Sequence, residues 1–281
     1  MIGAGVIGLS IARDLSQNSK IEVFVIESCS AIGTGISSRS SEVIHSGKYY
    51  SPGSRKASLC VEGRTLLYNY LKSRGIPHKN CGKFVVATTP AELDPLFKIY
   101  ATSQQNGVVG VEIVTKEDMK LLEPNVNCVG ALWSPVTGIL DSHDFMLQLQ
   151  SDASASGCTF VLNCGVLSGR ISKPNNINLS TSQGNVECDI LVNAAGLEAV
   201  NVALKLENFP DDYIPHSFFC KGNYFRLKGK YITVGLCQIE RLRLNDLPCP
   251  ISFRAPAFSF VLIISCFTVH HQTRPVNLFN I

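Results

Sequence analysis

Close to its N-terminus the chain carries Gly3-Ala4-Gly5-Val6-Ile7-Gly8, and a β-branched run further on closes on an acidic residue, Glu27. The first glycine of such a turn permits a tight strand-to-helix connection, the second lets backbone approach a pyrophosphate, and the third lets helix pack against strand. Free N–H groups at the start of the following helix then face the phosphates. Residues 21–26 (IEVFVI) read as a strand buried on both faces, with Glu27 at its carboxyl end placed to accept hydrogen bonds from a ribose. A carboxylate there favours an adenosine ribose over a 2′-phosphate. Gly3, Gly5, Gly8 and Glu27 are therefore the candidate cofactor residues, against the alternative of a glycine-rich turn in an unrelated α/β domain. Only Met1 and Ile2 precede Gly3, whereas a strand usually has about five or six residues, so the central strand is expected to be clipped.

Other properties set outer limits. A chain of 281 residues with 45% hydrophobic and 17% charged content can bury one large or two modest cores. The net charge of +3 comes with no basic block, so no nucleic-acid or acidic-membrane partner is called for. Eleven cysteines are scattered without a Cys-x-x-Cys pair, which reads as reduced thiols in place of a disulfide frame or a metal site. With the turn standing at residue 3, any targeting segment is expected to belong to a longer precursor.

Along the chain, residues 31–46 form a Gly- and Ser-rich loop suited to wrapping a cofactor, or alternatively a solvated linker. Residues 55–74 have helical spacing, with Ala57, Cys60, Val61, Leu67, Tyr68 and Leu71 on the core face. A strand at 82–87 precedes the capping box Thr89-Pro90-Ala91-Glu92. Thr115 to Asp118 caps a short helix, and Asp141 or Ser142 starts another that ends near Gly157. Residues 159–163 and 189–193 read as parallel strands separated by a polar excursion over 172–187. This order predicts a discontinuous nucleotide domain with a second domain threaded into it.

Five separated motifs resemble one family: Gly3-x-Gly5-x-x-Gly8, Glu27, the run from Ser38 through Glu42-Val43-Ile44-His45 to Tyr50, Gly138 to His143, and Val192-Asn193-Ala194-Ala195-Gly196-Leu197. Together they are similar to the FAD-dependent oxidoreductases of the D-amino-acid oxidase type, and within these to the plant branch that acts on L-2-hydroxyglutarate. The resemblance implies an α/β fold: a Rossmann-like FAD-binding domain with an inserted α+β antiparallel-sheet substrate domain and an incomplete C-terminal part. The implied boundaries are 1–82 and 139–204 for the FAD-binding domain, 83–138 and 205–229 for the substrate domain, and 230–281 as a divergent tail. Hydride transfer from C2 of L-2-hydroxyglutarate to flavin, giving 2-oxoglutarate, is the implied reaction, in a mitochondrial setting and with an unspecified electron acceptor. A catalytically dead fragment and an amine-oxidising relative of the sarcosine or glycine oxidase type stay open as alternatives.

Carried over from the resemblance, Ser40 and Ser41 lie along the cofactor, Val166 meets adenine through its backbone, and Gly196 lets the chain pass close to FAD. The reaction also asks for a base and for cations to hold two carboxylates. His45 is the first candidate for the base or an orienting group, since imidazole titrates near working pH; a simple bond to a carbonyl is the alternative. His143 is the second. Arg39, Lys56 and Lys221 are the candidate carboxylate partners of a 2-hydroxy dicarboxylate, with surface solvation as the alternative for each. Ser46 and Lys48 depart from the small or apolar residues usual after this histidine. The apolar run at 257–269 is shorter than the roughly twenty residues of a membrane helix and so predicts no transmembrane span; it reads as a core strand pair or an aggregation-prone tail.

Overall fold

The computed structural model describes residues 1–173 and 176–219, together with the strand segments 223–225, 238–241, 251–254 and 261–264. Among these residues the α-helices are, in chain order, α1 (Val6–Ser16), α2 (Arg55–Arg74), α3 (Leu93–Gln105), α4 (Lys116–Leu122), α5 (Ser142–Ala155) and α6 (Ala199–Leu204). The chain divides into two compact units, the first comprising Met1–Val43, Leu66–Lys79 and Ile139–Phe218, the second Ile44–Thr65, Asn80–Gly138 and Phe219–Ile281.

In the first unit, strand Phe24–Ile26 pairs in parallel with Thr159–Val161. Ile2 forms parallel bridges to both Ile26 and Asn193. The clipped strand is therefore very short yet pairs on both sides: Ile26 N donates to Met1 O and Gly3 N to Ile26 O, while Ile2 N donates to Val192 O and Ala194 N to Ile2 O. Side chains alternate across this sheet as a doubly covered strand requires. Val25 joins Ala4, Leu9, Ala12, Met146, Leu149 and Ala153 under α1 and α5. Ile26, one residue on, joins Ile2, Val166, Leu179, Val202 and Leu206 on the opposite face.

The second strand is shorter than the pattern over 21–26 predicts. Ile21 N donates to Asn18 O, so a turn consumes the start of the run. A larger departure concerns 172–187, read from sequence as a polar excursion. Most of its described residues lie in the antiparallel strands Val166–Lys173, Asn176–Thr181 and Gly184–Cys188, joined to Leu206–Glu207 in a four-stranded sheet. Only one side of that ribbon faces the core, with Leu179 and Thr181 buried while Asn178 is exposed, so its composition looks like a loop.

In the second unit, Lys83–Ala87 runs antiparallel to Gly130–Ser134 and parallel to Gln238–Arg241 within a seven-stranded sheet. Val85, Ala87 and Leu132 pack under Leu96 of α3, and Phe84, Val86 and Ala131 pack with Met119 of α4 on the other face. Thr89 and Glu92 form the capping box expected from the sequence, and Thr115 and Asp141 cap α4 and α5. Strands 251–254 and 261–264 pair antiparallel in this sheet, so part of the tail is sheet. No helix among the described residues is long and apolar enough to cross a membrane.

Candidate functional site

The glycine turn sits where Met1–Gly3 ends and α1 begins. Gly3 adopts φ +96°, and a Cβ there would stand 2.5 Å from Ala194 O. At Gly8 a Cβ would come within 2.0 Å of Gly3 O, so the helix lies against the strand at a distance that only glycine permits. Gly5 is the N-cap of α1, with extended backbone and no side-chain cap of its own. The first turn of a helix leaves backbone N–H groups without intrahelical partners. One of these, Val6 N, donates to Ser37 Oγ at 2.9 Å. The same hydroxyl would lie 3.0 Å from a Cβ on Gly5, so small residues and a hydroxyl converge over the helix start.

Glu27 closes its strand with the carboxylate turned toward the turn. Oε2 accepts from Ala4 N at 2.7 Å, and Oε1 accepts from Cys29 N at 2.9 Å and from Ser28 Oγ at 3.2 Å. Each carboxylate oxygen can accept a further bond, which is the capacity a ribose diol needs. Cys164 N donates to Glu27 O, bringing residues 164–166 beside the same strand end. Val166 is buried, and its carbonyl accepts from Lys205 Nζ at 3.2 Å. Gly196 has φ +58° with open space where a Cβ would be, so its backbone conformation is what calls for glycine.

The Gly/Ser-rich loop folds into a 3-10 turn at Ile36–Arg39. Arg39 and Ser40 are exposed, Ser41 is half-buried, and Ser40 Oγ accepts from Glu42 N at 3.4 Å. Glu42 takes φ +57°, costly for a residue with a Cβ. Its carboxylate Oε1 accepts from Ser142 N at 3.2 Å and Ser142 Oγ at 3.0 Å, which ties this loop to the start of α5. His143 is exposed in that first turn, its amide donating to Asp141 Oδ1.

The first unit thus brings together Gly3, Gly5, Gly8, Glu27 and Val166, and it also carries Arg39, Ser40, Ser41, His143 and Gly196. His45 and Lys56 belong to the second unit. His45 is exposed and its carbonyl accepts from Cys60 Sγ at 3.5 Å. The Lys56 side chain is exposed with Nζ 4.7 Å from the centre of the Tyr50 ring. Lys221 lies outside the described residues. Ser46 and Lys48, singled out as departures, are both about 2% exposed. Burial pushes the neighbouring Cys60 thiol up, while Arg64, Lys48 and Lys56 act in the opposite sense. Cys29, Cys60, Cys128, Cys158, Cys164 and Cys188 stand outside any disulfide. No group of His, Cys, Asp or Glu able to hold a metal occurs among the described residues.

Sequence reasoning missed Ser37, Glu42 and Asn106. Ser37 lies in the hydroxyl-rich run that the composition marked, but nothing local says which hydroxyl reaches α1. Asn106 donates through Nδ2 to Gly47 O at 3.0 Å and Tyr50 O at 2.8 Å, contacts between residues far apart along the chain.

A glycine-cornered strand–helix turn, a carboxylate at the next strand end and a two-faced parallel sheet define a nucleotide-binding α/β domain of the Rossmann type. The match to the FAD dependent oxidoreductase family model covers residues 1–257, and the chain belongs to that family. The match runs past Gly229. FAD is the family's cofactor, and the turn, the hydroxyl of Ser37 and the Glu27 carboxylate fit its ADP half. The chain is 38% identical over 259 residues to the mitochondrial L-2-hydroxyglutarate dehydrogenase of Arabidopsis thaliana, covering 82% of this chain and 53% of the relative. It is 32% identical over 249 residues to the Homo sapiens protein of the same name, covering 84% and 53%. The chain therefore spans about half the length of these relatives. Among solved structures, the fold is similar to FAD-bound L-alpha-glycerophosphate oxidase from Mycoplasma pneumoniae, with a TM-score of 0.83 at 18% identity and coverage of 95% and 70%. Glycine oxidase from Geobacillus kaustophilus gives 0.77 at 20%, again covering 95% and 70%.

Proposed function

We propose that this chain carries the FAD-binding and part of the substrate-binding machinery of a mitochondrial L-2-hydroxyglutarate dehydrogenase, oxidising the C2 hydroxyl to the ketone of 2-oxoglutarate. The observation that carries this reading is the sequence similarity to enzymes of that name in plant and animal, joined to a turn built for an ADP group. The first unit acts as the cofactor domain and the second contributes to the substrate domain. FAD, when bound, supplies the acceptor for the hydride leaving C2.

The chain's own residues have three tasks. Gly3, Gly5, Gly8 and Ser37 receive the pyrophosphate, and Glu27 receives the adenosine ribose. Ser40 and Ser41 line the cofactor, the Val166 backbone meets adenine, and Gly196 keeps the chain close to it. His45, exposed on a loop whose carbonyls are tethered, takes the hydroxyl proton as the hydride departs; His143 is the second candidate. Arg39, Lys56 and Lys221 hold the two carboxylates, an arginine by paired bonds and a lysine as a point charge.

Dye reduction by the FAD-loaded chain, with L-2-hydroxyglutarate set against glycine, sarcosine and D-2-hydroxyglutarate, tests the reading. The expected result is turnover with L-2-hydroxyglutarate and a loss of about 10²-fold or more in His45→Gln. Preferential oxidation of an amine would replace it with the glycine oxidase type of chemistry. A chain that neither binds FAD nor turns over would reduce the reading to a nucleotide fold alone.

A further inference from the structure

The loop that carries His45 is held by side chains where a backbone ladder would ordinarily serve. Four of its carbonyls are taken by side-chain donors of the same unit, two on α2 and one at the end of α3. His45 O accepts from Cys60 Sγ at 3.5 Å and Ser46 O from Arg64 Nη1 at 3.2 Å, both donors standing on α2. Gly47 O and Tyr50 O accept from the two hydrogens of Asn106 Nδ2, at 3.0 and 2.8 Å. Asn106 is the C-cap of α3, its backbone N–H donating to Thr102 O, and α3 is anchored in the core by Leu96 and Ser103. The clamp thus stands on a rigid element.

Two further atoms single out this loop. Ser46 Oγ and Asn106 Oδ1 are both buried without a hydrogen-bond partner among the described residues. Most buried polar groups are paired, and those that are not gather where strain or function holds them. The direction of the Asn106 amide follows from its surroundings, because two carbonyl oxygens require the NH2 end. A carboxylate of the same shape could not take its place, since it would present an acceptor to two acceptors.

We propose that Asn106 is a positioning residue for His45, fixing the 45–50 loop through Gly47 and Tyr50 while the imidazole itself remains exposed. This rests on the reading that His45 serves as the base, but its first readout needs neither flavin nor turnover. Preorganisation explains the arrangement: a base on a loop must keep its place relative to the reacting proton, and a donor fork on a helix end holds two carbonyls at once.

The test compares the 281-residue chain with Asn106→Asp, Asn106→Gln and, as a control for simple loss of stability, Asp152→Asn in the other unit. Hydrogen–deuterium exchange over residues 45–50 and the His45 ring signals, assigned with His45→Gln, are followed with and without FAD. Asn106→Asp is expected to speed exchange in that loop by about tenfold and to shift the His45 ring signals. Asn106→Gln, which keeps the donor fork on a longer stem, should recover part of the protection. Asp152→Asn should leave the loop as it was. Unchanged loop exchange in Asn106→Asp, or the same acceleration in Asp152→Asn, would overturn the proposal. Normal dye reduction by His45→Gln would instead remove the base reading and leave the loop measurement standing.

Discussion

Glu27 Oε2 accepts the backbone amide of Ala4 at 2.7 Å, so the acid at one strand end and the turn at the next are a single hydrogen-bonded unit. Glu27→Gln keeps the shape but turns an NH2 donor toward either Ala4 N or Cys29 N, so one bond is lost and the other becomes neutral. Such a loss amounts to about 1–2 kcal/mol, so FAD affinity should fall roughly five- to thirtyfold, read by quenching of flavin fluorescence on titration.

Gly8→Ala puts a methyl into Gly3 O, which is backbone and has no flexible end to yield. Overpacking of this sort costs about 1–3 kcal/mol. The variant should melt earlier and purify without flavin; a yellow protein of normal Tm would contradict the packing described here.

Ser37→Ala removes the hydroxyl that receives Val6 N at the start of α1. Loss of a comparable cap costs about 0.5–2 kcal/mol, so thermal melting of the FAD-free chain should detect it. The same substitution should weaken FAD binding if the hydroxyl also meets the pyrophosphate.

Asp152 stands among Gln148, Tyr70, Arg74 and Arg13 and is 12% exposed at its side chain. Burial alone pushes its carboxyl up, but the hydrogen bonds from Gln148 and Tyr70 and the two guanidinium groups together hold it below the usual range. Burial, and then the bond to Asp152, push Tyr70 up to about 12. Because the folded value lies below the unfolded one, the stabilisation is present above about pH 4 and fades as pH falls through the folded value. Asp152→Asn should cost about 1–2 kcal/mol at neutral pH, a figure that allows for the partial exposure of both arginines. Denaturant melts across pH should show the gap closing in acid.

What the sequence disclosed was local. The box from Thr89 to Glu92 and the caps Thr115 and Asp141 depend on neighbours a few residues away, and Gly3 to Gly8 with Glu27 fall in one short strand–helix–strand stretch of fixed spacing. The strands Asn176–Thr181 and Gly184–Cys188 were missed because one of their faces is wet and their side chains are mostly polar, leaving no apolar run to read. Asn106, Glu42 and Asp152 act on partners 59, 100 and 82 positions away, in Gly47, Ser142 and Tyr70, and no spacing rule connects them. The pairing of Gln238–Arg241 beside Lys83–Ala87 is equally remote.

Ile2 bridges Ile26 on one side and Asn193 on the other, so two sequence-distant strands meet through one short segment that also leads into the glycine turn. Anything that immobilises that turn also seals the seam between them. Occupancy by a dinucleotide would then act as mortar, raising cohesion of the sheet by mass action in proportion to the logarithm of its concentration over Kd. Cells starved of riboflavin should hold less of this protein for that reason alone, because the vacant form opens more readily to proteolysis.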